Sequence, residues 1–337
     1  MEAEGGPPLL RLANRHLEVE VDPDLGAEVR SVRRPGGPNV LARYEWTAPL
    51  SVRRSSGYGD AVLDWLSDYR GGWQELFPNA GDACIVDGVP LPFHGEVSRA
   101  RWDVVASTPA EVTLRTPARL PLVLERRMRL AADRPALLID ETIRSDAPVP
   151  SAFLMGHHPA FVATQDASID LPEGAAIQVD ETYVTDLVDL APGAAGRWPS
   201  VAGRAHGVVR LDRIPAGPVQ RVVFASSLGS APWAAVRGVH PGLGVALAWD
   251  VATFPCAWLW WEIGGQDFPW HGRARIVAIE PNTAFPADGL AAARSRGEAH
   301  EMAPGGEHRT WLTLVLFDAD ERPVTGVGRD GAVRLSP

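Results

Sequence analysis

Alternation of apolar and polar residues at a period of two most narrows what this chain can become. Leu17, Val19 and Val21 fall on one face of an extended segment, and Glu18 and Glu20 fall on the other. The alternation returns at 111–116, 122–130, 137–143, 221–225 and 244–249, among turn-forming residues. Segment 257–263 is rich in Trp and reads as a strand covered on both faces, while 274–280 and 311–317 are β-branched or aromatic enough to join it. The 33 glycines and 30 prolines cut the chain into short pieces, and Asp330-Gly331 offers a last hairpin turn. Only 287–296, after Pro286, has the composition of a helix, and 191–203 reads as a loop. The expected fold is all-β, a large antiparallel sandwich with few short helices, its 337 residues forming one domain.

Composition bounds the partners. A hydrophobic content of 45% with 22% charged residues describes a globular chain with a substantial core. The net charge of −10 and the lack of a basic cluster argue against nucleic acid or an anionic membrane as partner. No run of about 18 apolar residues is present, and the acidic residues 1–8 lack the basic and apolar parts of a secretion signal. Two distant cysteines, Cys84 and Cys256, form no disulfide framework and read as small buried apolar residues in a reducing cytoplasm. A monomer or homodimer is expected.

Four clusters carry polar chemistry. The first runs from Arg70 through Gly71, Gly72, Trp73, Phe77, Asn79 and Asp82 to His94, Gly95 and Glu96. Gly71-Gly72 and Asp87-Gly88 let the backbone reverse, because glycine takes φ > 0 without steric cost. Aromatic faces beside Arg70, Asn79, Asp82 and His94 suit a polyhydroxylated ligand, whose C–H faces stack while its hydroxyls are read one by one. The second cluster sets His157 and His158 side by side, so only one imidazole can face a given cleft. The third is Trp258, Trp260, Trp261 and Glu262, core by default with one Trp available to stack on a sugar. In the fourth, Ile276, Ala278 and Glu280 share one face of a strand ended by Pro281. A partly desolvated carboxylate there, near an imidazole, has the setting of a general base.

Taken in order, Arg70-Gly-Gly, Phe77-Pro, His94-Gly, the His158-x-x-Phe161 run and a late strand ending Glu280-Pro resemble the aldose 1-epimerase (galactose mutarotase) superfamily. The spelling from Arg70 to Phe77-Pro78 is most similar to its glucose-6-phosphate 1-epimerase-like branch, and Pro304 to Trp311 resembles the family's closing segment. The resemblance implies a β-supersandwich that interconverts the α and β anomers of a hexose or hexose derivative without cofactor or metal. Glu280 would take the proton of the anomeric hydroxyl, His158 would protonate the ring oxygen, and His94 would support the developing charge. Arg70 would bind a hydroxyl or an anionic substituent of the sugar. An aspartate is also expected to hold the sugar, with Asp212 preferred and Asp250 the alternative. Trp73 and Asn79 join the substrate-binding residues, with His157 in a supporting or capping place. The sequence departs from the family at Ala160, where a second aromatic is usual, at the extra imidazole of His157, and at Glu96.

Two other classes use the same residues. A carbohydrate-binding or sensing module on the same sandwich needs no acid/base pair across a ring oxygen. A metal-dependent sugar isomerase would draw ligands from His94, Glu96, His157, His158 and Glu280, although the His-x-His pair usual in such barrels is missing.

Overall fold

The computed structural model describes residues 9–44 and 59–337; residues 1–8, read above for a secretion signal, lie outside them. The alternating runs become strands. Leu122–Leu130 and Ala136–Ser145 pair antiparallel with Leu137 against Leu130, and Glu307–Asp318 joins their other side with Ala136 against Val315. These strands lie in an 8-stranded sheet that also holds Leu243–Trp249. A 12-stranded sheet contains, side by side, Trp73–Leu76, Gly156–Val162, Arg275–Asn282, Cys256–Ile263 and Val219–Ser226. Neighbouring strands among the described residues of both sheets pair antiparallel, as the short alternating runs require.

The inner faces of the two sheets share one apolar interior, with Val19, Val21, Phe161 and Ile279 from one sheet and Leu124, Met128 and Ile139 from the other. A charged knot crosses it. The Arg126 guanidinium donates to Glu141 Oε1 at 2.8 Å, to Ala27 O at 3.3 Å and to Glu75 Oε2, and it lies 4.9 Å from the Trp102 ring centroid. The Trp73 indole N–H donates to His157 Nδ1 at 3.2 Å, so His157 Nε2 carries the hydrogen it gives to Glu141 Oε2 at 3.1 Å. Burial and the neighbouring Glu141 raise the Glu75 carboxyl well above its ordinary value. Burial works against the Glu141 charge too, but His157 and Arg126 overcome it and hold that carboxyl low. Of the two carboxyls, Glu75 is thus the one that more readily holds a proton. The geometry costs little, because Arg126 and Glu141 sit on paired strands of one sheet while Glu75 and His157 sit on paired strands of the other.

Among the described residues there are two helices, α1 (Ala61–Asp68) and α2 (Gly289–Ser295). Helix α2 lies within the expected 287–296. Helix α1 was not expected, although Asp60 accepts from Val62 N at 2.9 Å and Leu63 N at 3.0 Å, and Val62, Trp65, Leu66 and Tyr69 follow helical spacing. At eight residues its periodicity is too brief to stand out. The 191–203 loop contains the hairpin Ala195–Arg197 and Ser200–Ala202. Pro281 does not end its strand, which runs to Asn282 in register with Ala257 and Cys256. Cys84 is half-buried and Cys256 buried; both are free. No described helix is long and apolar enough to cross a membrane.

Arg126→Met would leave the Glu141 charge buried without its guanidinium, and the expected loss of unfolding free energy is about 3–5 kcal/mol. Urea unfolding measures it; a loss below about 1 kcal/mol would mean the knot does not hold the sheets together.

Candidate active site

The outer face of the 12-stranded sheet forms the floor of a cavity of about 270 Å³. This is just under the roughly 300–1,000 Å³ usual for small-molecule sites. The register that sets Gly156 against Asn282 and Ala160 against Ala278 puts His158 opposite Glu280. On the other side Glu280 pairs with Trp258, and Trp260 with Ala278. Strand alternation therefore sends His158, Glu280, Trp258 and Trp260 to the cavity, while His157, Ile279, Leu259 and Trp261 go to the interior.

Four other segments wall the floor: α1 with Val62, Trp65 and Leu66, the Phe93-His94 turn, Asp180 to Tyr183, and Trp270. Asp82 and Ala287 stand at the rim. Asp180 shapes its own turn, its Oδ1 accepting from Thr182 N at 2.6 Å, Thr182 Oγ1 at 2.7 Å and Tyr183 N at 3.0 Å. Buried Glu262, whose carboxyl burial pushes up to about 7, accepts from Gly265 N at 2.9 Å and so fixes the start of the turn that delivers Trp270.

His94 has φ +61°, the left-handed region that non-glycine residues seldom enter. Two bonds to Gly81 hold it there. Its N–H donates to Gly81 O at 2.9 Å, and its Nδ1 accepts the Gly81 N–H at 3.0 Å. The neutral ring must then carry its hydrogen on Nε2, as a donor. Next to it, Gly95 has φ +72°, and a Cβ there would lie 2.2 Å from Phe77 O.

His158 Nε2 approaches Glu280 Oε1 at 3.4 Å, with both side chains about 95% buried. Burial lowers His158 to about 4 and raises Glu280 well above its ordinary value. Both shifts favour the uncharged forms, a carboxyl beside a neutral imidazole, over an ion pair. Rings crowd His158: Trp65 at 5.3 Å, Tyr69 at 5.4 Å, Trp260 at 5.6 Å and His94 at 5.8 Å between centroids. Burial, then the neighbouring His158, depress His94.

The cavity brings together His94, His158 and Glu280, but not the expected binding residues. His157 and Trp73 face the interior and bond each other. Asn79 is fully engaged, donating to Asp82 O at 2.8 Å and Pro92 O at 3.0 Å and accepting from Leu290 N at 2.7 Å. Asp212 grips Arg210 through both oxygens, at 2.9 and 2.6 Å, outside the cavity. Asp250 caps Ala252 N at 3.1 Å and lines a groove beside Trp311. Arg70 is half-buried and is not among the described lining residues. The metal ligand set is likewise split, with His157 behind the sheet and Glu96 accepting from Arg119 N at 2.6 Å. Glu75, Glu141 and His157 do converge, but both carboxyls are taken by the Arg126 guanidinium. In place of the expected residues the cavity presents Asp180, Tyr183, Trp65 and Trp270, with Asp82 at its edge. The Asx turn of Asp180-x-Thr182-Tyr183 was the one local signal for that wall.

No protein-family model matches this chain, and no curated protein matches it in sequence. Solved structures do match it. The Slr1438 protein of Synechocystis superposes with a TM-score of 0.66 at 16% identity, over 94% of this chain and 97% of that one. A galactose mutarotase related enzyme from Lactobacillus acidophilus gives 0.59 at 14% identity, over 93% and 99%. A galactose mutarotase-like protein from Clostridium acetobutylicum gives 0.60 at 12%, over 92% and 95%. The fold is that of the galactose mutarotase-like proteins, as the motif order implied.

Below the ordinary imidazole value of 6.5 the unfolded chain takes a proton on residue 158 that the folded chain refuses until about 4. Stability from this group is complete above 6.5 and is lost as pH falls through that window. Glu280 acts in the opposite sense, its contribution being lost as pH rises through its elevated value. His158→Gln is therefore expected to show a smaller fall in thermal midpoint between pH 6.5 and 4 than wild type. Parallel curves would contradict a buried neutral imidazole at this position.

Proposed function

We propose that this protein interconverts the α and β anomers of an uncharged aldohexose by acid–base catalysis between Glu280 and His158. The observation that carries the proposal is their buried contact at 3.4 Å on the cavity floor, beside the His94 donor. Opening a cyclic hemiacetal requires one proton to leave the anomeric hydroxyl while another reaches the ring oxygen. Besides the hydrogen that stays on the imidazole ring, the pair holds one transferable proton. When it moves from Glu280 to His158 it leaves a carboxylate and an imidazolium. The carboxylate takes the hydroxyl proton, the C1–ring oxygen bond breaks as the carbonyl forms, and the imidazolium protonates the departing oxygen. This returns Glu280 protonated and His158 neutral, the state that burial favours. Rotation about C1–C2 exposes the other carbonyl face. His158 then removes the proton from the attacking hydroxyl while Glu280 protonates the carbonyl oxygen, and the opposite anomer results. His94 Nε2–H offers a fixed hydrogen bond to oxygen bearing developing charge.

Trp65, Trp258, Trp260 and Trp270 supply faces for the sugar's C–H groups. The ionisable lining comprises Asp82, Asp180, Glu280, Tyr183 and two histidines held neutral, with no Arg or Lys among the described residues. An uncharged hexose fits this lining better than a hexose phosphate or uronate, which would meet carboxylates. The solved relatives named for galactose mutarotase support an aldose as substrate.

Anomer exchange followed by NMR tests the proposal. Exchange is expected with neutral aldohexoses and to be much slower with hexose 6-phosphates and uronic acids. Glu280→Gln is expected to cut turnover by about two to four orders of magnitude while sugar still binds. Binding without exchange in the wild type would instead identify a sugar-binding module.

A further inference from the structure

Glu262 lies two residues beyond Trp260 on the cavity face of its strand, and Gln220 lies directly across from it on the neighbouring strand. Both are buried, and neither is a lining residue of the cavity. Hydrogen bonds run through this pair in one direction. Gly265 N donates to Glu262 Oε1 at 2.9 Å, and Gln220 Nε2 donates to Glu262 Oε2 at 2.7 Å. The Thr185 hydroxyl donates to Gln220 Oε1 at 2.7 Å, and Leu187 N donates to Thr185 Oγ1 at 3.2 Å. A carboxylate can only accept, so it fixes which end of the Gln220 amide turns toward it and which end is left for Thr185.

The two ends of this chain of bonds belong to different walls of the cavity. Gly265 O accepts from Gly272 N at 2.7 Å, which closes the turn that carries Trp270. A Cβ on Gly265 would lie 2.3 Å from Glu262 Oε1 and 2.6 Å from Gln220 Nε2, so the main chain there rests directly on the pair. Thr185 follows Tyr183 in a loop bonded to the floor strand at both ends, by Asp180 N to Val222 O at 3.1 Å and Gln220 N to Leu187 O at 3.2 Å. Away from water, a lost partner in such a chain is not replaced.

We propose that Glu262 is a positioning residue: through Gln220 and Thr185 it ties the Tyr183 loop to the Trp270 turn, and so sets the affinity of the cavity for a sugar. That the occupant is a sugar rests on the function proposed above; the tie between the walls does not.

Glu262→Gln separates the two halves of the tie. The new amide oxygen can still accept from Gly265 N, but the new amide nitrogen meets Gln220 Nε2. Turning the Gln220 amide to accept from it takes the acceptor away from Thr185. Amide exchange is read at about pH 8, above the value of about 7 to which burial pushes Glu262. Exchange over 181–187 is expected to quicken about three- to tenfold, the worth of one hydrogen bond, with 265–272 unchanged. Adding Gln220→Glu returns an acceptor to Thr185 and a partner to the new amide, so protection of 181–187 should recover. Thr185→Val should quicken 181–187 alone and add nothing to Glu262→Gln, because the two act in series. No change over 181–187, no recovery in the reversed pair, or effects that add would each overturn the tie.

Sugar affinity is measured by titration with a neutral aldohexose. Glu262→Gln and Thr185→Val are expected to weaken it about three- to tenfold with kcat within about twofold, and the reversed pair to restore it. Unchanged affinity alongside quickened exchange would overturn the positioning role. A wild-type protein that binds no hexose would remove the reading of the cavity, and exchange would still decide whether the tie exists.

Discussion

A guanidinium sealed between two sheets is the constraint on which the rest of this molecule depends. Arg126 cannot leave the interior without stranding Glu141, and its third contact, Glu75, belongs to the opposite sheet. Apolar packing is tolerant of small slides, because one aliphatic contact replaces another at similar energy. A charge with fixed donors is not tolerant, because each misplaced oxygen leaves a buried group unsatisfied. The knot therefore fixes the position of the Trp73 and Gly156 strands over the other sheet. The outer faces of those strands then hold Gln74 and His158 in place.

From that fixed floor the chemistry follows by burial. Glu280 and His158 are each placed where ionisation is unfavourable, one pushed up and the other down. Both shifts disfavour charge at one contact, the setting on which the proposed acid–base reaction draws. The aromatic wall supplies the burial. Trp65 comes from a two-turn helix and Trp270 from a turn anchored by Glu262, so the dry environment of the pair depends on irregular segments outside the main sheets.

What could be read from the amino-acid order divides along the same line. Strands such as 122–130 announce themselves because each carries its own alternation, and the positions of His94, His158 and Glu280 follow from motifs set in order. The remainder of the site depends on which loops fold back over the sheet. Asp212, preferred over Asp250 from the sequence, is spent on Arg210 two residues away, while Asp180, not weighed there, lines the cavity. Asn79 looked like a sugar-reading amide, but the turn ending at His94 and the start of α2 use all of its hydrogen bonds. Trp73, expected to meet the substrate, faces the interior with the supporting His157, because which face the odd positions take becomes visible only once the strands' register is known.

The division of labour along Gly156–Val162 has a consequence for how such a protein can change over generations. Position 157 answers to the folding of the whole body and position 158 to what occurs in the cavity, although one peptide bond separates them. Cavity-side positions can be exchanged and selectivity retuned with little disturbance to the frame, so long as chain length is kept. The insertion of a single residue would turn the strand over, delivering the cavity imidazole to the interior and the interior imidazole to the cavity. Drift by substitution is open to this strand; drift by insertion or deletion is closed.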